Sequence, residues 1–287
     1  MADLKGFKAV ITAGGIGTRL LPFSKEIPKE MAPILSKNSH EKPVVKPIIQ
    51  AIYEQLYDSE IRDFFVVVGR GKRAIEDHFT PDQGFLEMLV KAGKDADELS
   101  SFYSKLGSSN LVFVMQPEPK GFGDAVLKAS PYVDGNFLVL AGDTYIISEN
   151  AGYLEKLKEA HLSLDAEATI LLQGVKNPSQ YGVVLGKEIS KGIIEIKQAI
   201  EKPATLVSNT AIMPIYIFKE SIFDALRKIG LGNGRELQLT DAIQFLISQG
   251  RRVVGVKLTD KDVRLEIGSP ETLMETLSLS GKSIVNG

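Results

Sequence analysis

The chain has 287 residues, enough for one large α/β domain or two small ones with a sizeable apolar core. Its 34 basic and 36 acidic side chains leave a formal charge of −2, so nothing points to nucleic acid or an anionic membrane as a partner. With no cysteine the chain excludes disulfides and thiolate metal sites, and no apolar run reaches the roughly 18 residues of a membrane helix.

The N-terminal segment Met1 to Lys8 has no apolar targeting stretch, and a cytoplasmic protein is expected. Ala9-Val10-Ile11 then reads as a short buried strand running straight into a glycine-rich turn. Similar apolar runs recur at Phe64–Val68, Leu111–Met115 and Phe137–Ala141, separated by helical patterns through Ile48, Ile49, Ile52 and Leu56 and through Leu86, Leu89 and Val90. Buried strands alternating with helices predict an α/β fold with a mixed, mostly parallel central sheet and helices on both faces. Beyond residue 150 the pattern changes to strands at Ala168–Leu172, Gly182–Leu185, Ile193–Ile196 and Ala211–Phe218, followed by helices at Ser221–Lys228 and Leu239–Gln249. Ser269-Pro270-Glu271 starts a last helix with an N-cap serine, a first-turn proline and an early acid. No repeat or linker interrupts the chain. A single domain, 1–287, is expected, with lobes at 1–150 and 151–287 and a cleft between them.

The turn Ala13-Gly14-Gly15-Ile16-Gly17-Thr18-Arg19-Leu20-Leu21-Pro22 stands where the first strand ends. Ligands of open parallel sheets bind outside the carboxyl ends of the strands, and glycines let backbone amides approach phosphate oxygens. Arg19 adds a guanidinium suited to bidentate phosphate contact. A P-loop would need Gly-Lys-Ser/Thr, which is missing, and a dinucleotide fingerprint would need glycine where Leu20 stands. Glycines alone would equally suit a tight turn. Lys29, ten residues past Arg19, brings a second cation toward the same place.

Three further places carry candidate chemistry. Asp143 follows the run Phe137–Gly142 at a strand's carboxyl end, where a carboxylate can ligate a hard cation such as Mg²⁺ or simply bond its own turn. Gln116, before the turn Pro117–Gly121-Phe122-Gly123-Asp124, offers a donor and an acceptor that match a pyrimidine edge, or is a surface glutamine. Glu201-Lys202-Pro203 pairs an acceptor for sugar hydroxyls with a cation for a phosphate, or is a solvated ion pair beside a proline. His40, His78 and His161 lie in no motif and read as surface or packing residues.

In order along the chain, Gly14-Gly15-Ile16-Gly17-Thr18-Arg19-Leu20-Leu21-Pro22 and Lys25-Glu26-Ile27-Pro28-Lys29-Glu30-Met31 resemble the sugar-nucleotide pyrophosphorylase family. Within it the nearest pattern is that of the bacterial-type UTP–glucose-1-phosphate uridylyltransferases, and Gly234-Arg235-Glu236-Leu237-Gln238-Leu239-Thr240-Asp241 matches that branch again. The resemblance spans Phe7 to about Leu277 and implies a Rossmann-like nucleotidyltransferase fold. It implies that Ala13, Gly14, Gly15, Gln116 and Gly121 hold the nucleotide, that Arg19 binds the departing pyrophosphate and that Lys29 neutralises the nucleotide phosphates. Gly182, Glu201 and Lys202 would hold the sugar phosphate, with Asn209 and Ile212 lining the same pocket. Asp143 and Glu266 would hold Mg²⁺, although the family has aspartate where Glu266 stands, and the alternation of Val263, Leu265 and Ile267 equally suits an exposed strand face for Arg264 and Glu266. Asp124 also departs from the pattern, and residues 36–44 look like an insertion that ends with Val45 in place of an aspartate.

The implied reaction forms UDP-glucose and pyrophosphate from UTP and glucose 1-phosphate by direct attack on the α-phosphorus. A thymidylyl-specific or broader transferase and a non-catalytic sugar-nucleotide sensor are the alternatives. The family also implies a homo-oligomer, dimer or tetramer, built through helices after Ser221.

Overall fold

The computed structural model describes residues 2–38, 40–232 and 235–286. Its centre is β1 (Lys8–Ala13), whose residues from Ala9 onward are buried on both faces, as a helix-covered strand requires. An antiparallel ribbon follows, β2 (Pro33–Lys37) and β3 (Pro43–Pro47). Next come α1 (Ile48–Asp58), β4 (Asp63–Gly69), α2 (Arg73–His78), α3 (Gln83–Lys91) and α4 (Asp97–Gly107). The first half closes with β5 (Asn110–Gln116), α5 (Phe122–Lys128), β6 (Phe137–Ala141) and β7 (Thr144–Ile147). The second half runs α6 (Gly152–Ser163), β8 (Ala168–Gly174), β9 (Gly182–Ser190), β10 (Ile193–Glu201), β11 (Thr210–Phe218), α7 (Ser221–Lys228) and α8 (Leu239–Ser248). It ends with β12 (Val253–Lys257), β13 (Val263–Glu266) and α9 (Pro270–Asn286).

A nine-stranded sheet of order β5-β4-β1-β6-β11-β8-β12-β10-β9 runs through both halves. The strands alternate their side chains between two cores. Ala9, Ile11, Val66, Val68, Leu138 and Leu140 pack with α1, α4 and α6, whereas Val10, Phe65, Val67 and Val139 pack with α5, α7 and α8. Helices therefore cover both faces, as expected. The expectation of a mostly parallel sheet needs correction at the level of pairing. The parallel run is β5-β4-β1-β6, and beyond it only β8 and β12 pair parallel, the remaining contacts being antiparallel. A tight turn accounts for the antiparallel hairpin β9–β10, whereas the other antiparallel contacts join strands that are not consecutive in the chain.

Other differences are local. The pattern through Leu86, Leu89 and Val90 does form a helix, but α3 buries nothing and exposes Phe85, Met88 and Val90. The insertion at 36–44 is the tip of the β2–β3 ribbon, although Ser39 lies outside the described residues. Lys46 at its base is buried against Glu54 (2.7 Å) and Glu98, which anchors the ribbon to α1 and α4. Ser269 caps α9 as its sequence predicts, accepting from the Thr272 amide at 3.4 Å. From α9, Ser280 Oγ accepts from the Leu35 amide and Thr276 Oγ1 from the Glu266 amide, so the helix ties β2 to β13.

His161 is a packing residue between α6 and β8, with Nδ1 2.9 Å from Thr169 Oγ1 and Nε2 3.2 Å from Asn136 Oδ1. The amide oxygen only accepts, so Nε2 carries the proton and Nδ1 accepts from the hydroxyl. Burial pushes the imidazole pKa down to about 4, and the Lys219 ammonium pushes the same way. The unfolded chain takes up this proton near pH 6.5 and the folded chain only near pH 4, so stability falls as pH drops through that window and stops falling below it. His161→Gln keeps a polar side chain and removes the titration. Its urea midpoint is expected to change less with pH between 6.5 and 4 than that of the parent.

Candidate active site

Leaving β1, the chain turns at once through Gly14–Gly17 into a single 3₁₀ turn, Thr18–Leu20. Gly17 has φ 73°, a left-handed conformation that glycine adopts without strain. Gly14 is glycine for a different reason. A Cβ there would stand 2.1 Å from Gln116 Oε1, so the bare backbone leaves room for the Gln116 amide in its present place.

Gln116 is not a surface glutamine. It is 3% exposed, and its Nε2 donates to the Gly121 carbonyl (3.1 Å) and to Asp124 Oδ2 (2.8 Å). Both partners can only accept, which fixes the amide with its oxygen toward Gly14. Asp124 thereby acquires a place that sequence reasoning left open: it holds Gln116 and does not cap α5, whose start has no side-chain cap. Residues 235–241 close over the same turn. The Leu237 amide donates to the Lys120 carbonyl, the Gly123 amide donates to the Leu237 carbonyl, and a Cβ on Gly121 would stand 2.8 Å from that carbonyl oxygen. Gly234 of this segment lies outside the described residues.

Below the glycine turn lies a chain of alternating charges. The Lys29 ammonium is hydrogen-bonded to the Asp143 carboxylate, with both side chains mostly buried. Burial opposes the charge on Lys29, but Asp143 and then Glu30 outweigh it and hold the ammonium above its usual range. Glu30 is 1% exposed, and its carboxylate accepts from Lys72 Nζ at 2.9 Å. Burial pushes this carboxyl up, against the pull of Lys72 and Lys29.

On the other side of Asp143 stands Glu266. Strand β13 pairs with β7 so that Glu266 faces Thr144, and the Ile267 amide donates to the Asp143 carbonyl at 3.0 Å. Glu266 is therefore no exposed strand residue. Burial first, and the nearby Asp143 charge, push its carboxyl up, while Arg264, Arg19 and Lys29 pull it down. Arg264 Nη1 comes within 2.9 Å of Glu266 Oε2, yet that oxygen is buried without an aligned hydrogen bond. The pair is close enough for Coulomb attraction but leaves the oxygen's lone pairs free. Arg19 arrives at the same spot: a Cβ on Gly268 would stand 3.2 Å from Arg19 Nη2 and 3.4 Å from Glu266 Oε1.

A cavity of about 400 Å³ collects Gly14, Gly15, Lys29, Gln116, Gly121 and Asp143. Six of the nucleotide-side and metal residues expected from sequence thus share one space, with Arg19 and Glu266 beside it. Ala13, by contrast, is 1% exposed at the end of β1 and packs into the core. Gly182, Glu201 and Lys202 form a second group. Glu201 Oε2 accepts from Thr240 Oγ1 at 2.6 Å, and Lys202, held at φ 42°, donates its amide to the Tyr181 carbonyl. Ile212 approaches Gly182 closely, whereas Asn209 is exposed and offers its backbone carbonyl to Val175. Arg264 links the two groups, because its Nη2 reaches Tyr181 Oη at 3.3 Å while Nη1 faces Glu266.

Among the described residues no group of three or more His, Asp or Glu side chains is placed to bind a metal. Two carboxylates suffice for Mg²⁺, which is ordinarily held by one or two of them together with substrate phosphates. The unsatisfied buried oxygen of Glu266 beside Asp143 fits that requirement. Sequence reasoning missed Lys72, Glu30, Arg264 and Thr240. Lys72 and Glu30, Thr240 and Glu201, and Arg264 and Tyr181 are remote in sequence, and no spacing announces those pairs, whereas Arg264 and Glu266 are two residues apart on one strand.

A mixed α/β sheet whose parallel strand ends gather a glycine turn, two cations and two carboxylates defines a protein built to handle nucleotide phosphates. Residues 8–280 match the nucleotidyl transferase family, and the chain belongs to it. A Staphylococcus saprophyticus protein named UTP–glucose-1-phosphate uridylyltransferase 1 is 36% identical over 247 residues, 84% of this chain and 82% of its own. A Bacillus subtilis UTP–glucose-1-phosphate uridylyltransferase is 34% identical over 273 residues, 93% of this chain and 90% of its own. A crystal structure of UDP-glucose pyrophosphorylase complexed with UDP-glucose superposes with a TM-score of 0.82 at 28% identity, covering 99% of this chain and 100% of that one. These findings bear out the resemblance carried by Gly14–Met31.

The Glu30–Lys72 pair is the most deeply buried link of the charge chain, with 2% and 8% of the side chains exposed. Removing one partner leaves the other charge buried, so Lys72→Met is expected to lower the unfolding free energy by about 3 kcal/mol, the low end for such pairs because Lys29 stays close to Glu30. Adding Glu30→Gln is expected to recover most of the loss. Urea denaturation of the two single variants and the double variant checks both outcomes.

Proposed function

We propose that this chain makes UDP-glucose and pyrophosphate from UTP and glucose 1-phosphate. The observation that carries the reading is the convergence of Gly14, Gly15, Lys29, Gln116 and Asp143 on one cavity, in a member of the nucleotidyl transferase family. Relatives at 34–36% identity bear the uridylyltransferase name across most of their length.

Within this reading residues 1–150 take the nucleotide, and residues 151–287 take the sugar phosphate and add the C-terminal helices. Gln116 presents its amide oxygen toward Gly14, where a pyrimidine N3–H can donate to it, and the Gly14, Gly15 and Gly121 backbone lets base and phosphates approach. A sugar phosphate oxygen is already anionic at neutral pH and needs no general base. It attacks the α-phosphorus, a new P–O bond forms, and the bond to the bridging oxygen breaks, so that pyrophosphate leaves with the electron pair. Lys29 neutralises the α-phosphate region, Arg19 the departing pyrophosphate, and Lys202 holds the attacking phosphate. Glu201 and the Gly182 backbone receive the sugar hydroxyls. Asp143 and Glu266 would hold Mg²⁺, which supplies further charge neutralisation when bound.

The Lys29–Asp143 bond gives this scheme a resting state. It keeps both charges paired in a largely buried place, and an arriving phosphate competes for the ammonium. The position of Glu266 next to Asp143 supports catalysis over a sensing role, because this departure from the family's pattern still brings a carboxylate to the same place.

No helix among the described residues is long and apolar enough to cross a membrane. The reading has a cytoplasmic enzyme of small-molecule substrates, without nucleic acid or membrane, assembled as a homo-oligomer. Helix α7 buries Ile222, Phe223, Ala225 and Leu226, so its apolar face is not free for such contacts. Exposed apolar side chains lie instead on α3, at Phe85, Met88 and Val90, and on α9, at Met274 and Leu277.

Pyrophosphate release, measured with Mg²⁺ while crossing UTP, dTTP, CTP and GTP with several sugar 1-phosphates, tests the reading. Turnover is expected to be fastest with UTP and glucose 1-phosphate. Comparable rates with dTTP would widen the substrate range, and no release with any pair would overturn the enzyme. Lys29→Met is expected to reduce kcat about 10²–10³-fold, the usual loss for a charge that acts on the transition state.

A further inference from the structure

Thr240 lies in a segment whose sequence marks the family but whose side chains have no role in the scheme above. It stands in the first turn of α8 and is 5% exposed, so its hydroxyl cannot swing out to water. The Oγ1 atom donates to Glu201 Oε2 at 2.6 Å. Glu201 itself is mostly buried, and its second oxygen, Oε1, lies 3.7 Å from Lys202 Nζ. Gly182 forms the floor of this contact: a Cβ there would stand 2.8 Å from Thr240 Oγ1 and 3.0 Å from Glu201 Oε2. Three separate elements, β9, β10 and α8, therefore meet at one hydrogen bond.

We propose that Thr240 is the positioning residue of the sugar subsite. The inference rests on the reading of Glu201 as the acceptor of sugar hydroxyls. A glutamate side chain has three rotatable bonds, and an acceptor that wanders over several rotamers meets hydroxyls in several places. Carboxylates only accept, and each oxygen has two lone pairs, so Glu201 takes the Thr240 hydroxyl on Oε2 and keeps Oε1 for the substrate. The short, charge-assisted bond thus selects one rotamer before the sugar arrives. An acceptor fixed in this way rewards a hydroxyl in one configuration and leaves a misplaced one unpaired, which is how such sites tell epimers apart. The missing Cβ of Gly182 belongs to the same device, because any larger residue would drive Thr240 and Glu201 apart.

The test compares Thr240→Val, Thr240→Ala and Thr240→Ser with the parent, using saturating UTP and varied glucose 1-phosphate or its 4-epimer, galactose 1-phosphate. Thr240→Val is expected to raise KM for glucose 1-phosphate about tenfold, the scale of a hydrogen bond to a charged group, and to narrow the preference for glucose over galactose. KM for UTP and the melting temperature stay near the parent's, Thr240→Ala follows Thr240→Val, and Thr240→Ser restores both parent values. Unchanged KM and epimer preference in Thr240→Val would overturn the inference alone. A matching rise in KM for UTP, or a serine variant that behaves like valine, would reduce Thr240 to a packing residue and overturn it as well. A parent enzyme that turns over no glucose 1-phosphate would overturn the functional reading on which the inference rests.

Discussion

The site depends on one contact, the Lys29 ammonium against the Asp143 carboxylate. Neither charge is tolerable alone in so buried a place, and each makes the other affordable. The same rule governs its neighbours. Glu30 beside Lys29 needs Lys72, and Glu266 beside Asp143 needs Arg264 and Arg19. Every charge in the series has an opposite one within reach, and where two carboxylates do stand side by side, Asp143 and Glu266, the cations Lys29, Arg19 and Arg264 are close by. A phosphate-binding site gains from this arrangement because its cations are held charged and in place before any anion arrives.

The sheet explains how such distant residues meet. Asp143 comes directly after β6, which pairs parallel with β1, and β1 delivers the glycine turn at the same edge of the sheet. Strand β5 runs parallel two places away and ends on Gln116, so Gln116, the glycine turn and Asp143 leave the sheet at one end. The reversal at β11 has a different consequence. With β11 and β10 running against their neighbours, the second half sends its turns to the same region, and Tyr181, Glu201 and Lys202 lie at strand ends near Arg264. The two halves of the chain are joined by ordinary strand pairing in one sheet.

Much of this was legible in the sequence because it is local. Buried β-branched runs marked the strands, the glycine turn followed the first of them, and Asp143 stood at the end of another. What stayed hidden was pairwise and remote. Lys72 and Glu30 are 42 positions apart, and nothing near either one names its partner. Gln116 was ambiguous for the same reason, since the side chain that fixes it, Asp124, lies on the following helix and nothing near it names its partner. Helix α3 misled differently: periodicity reports which side chains share a face, and it cannot report whether anything covers that face. Sheet pairing also escaped, because the order in which strands neighbour one another is set by tertiary packing, which a run of apolar residues does not encode.

Glu266 shows how a departure from a family pattern is absorbed. Glutamate is one methylene longer than the aspartate that the resemblance implies here, yet it stands beside Asp143. Strand β13 fixes its backbone by pairing with β7 on one side and by Thr276 of α9, which binds both its amide and its carbonyl, on the other. Arg264, two residues earlier on the same face of the strand, then draws the carboxylate by charge without saturating it. That same guanidinium touches Tyr181, whose carbonyl holds the strained backbone of Lys202. The substitution is therefore tied to a contact that spans both halves of the site. A glutamate at this position is coupled to Tyr181, and through it to the backbone of Lys202, by Arg264.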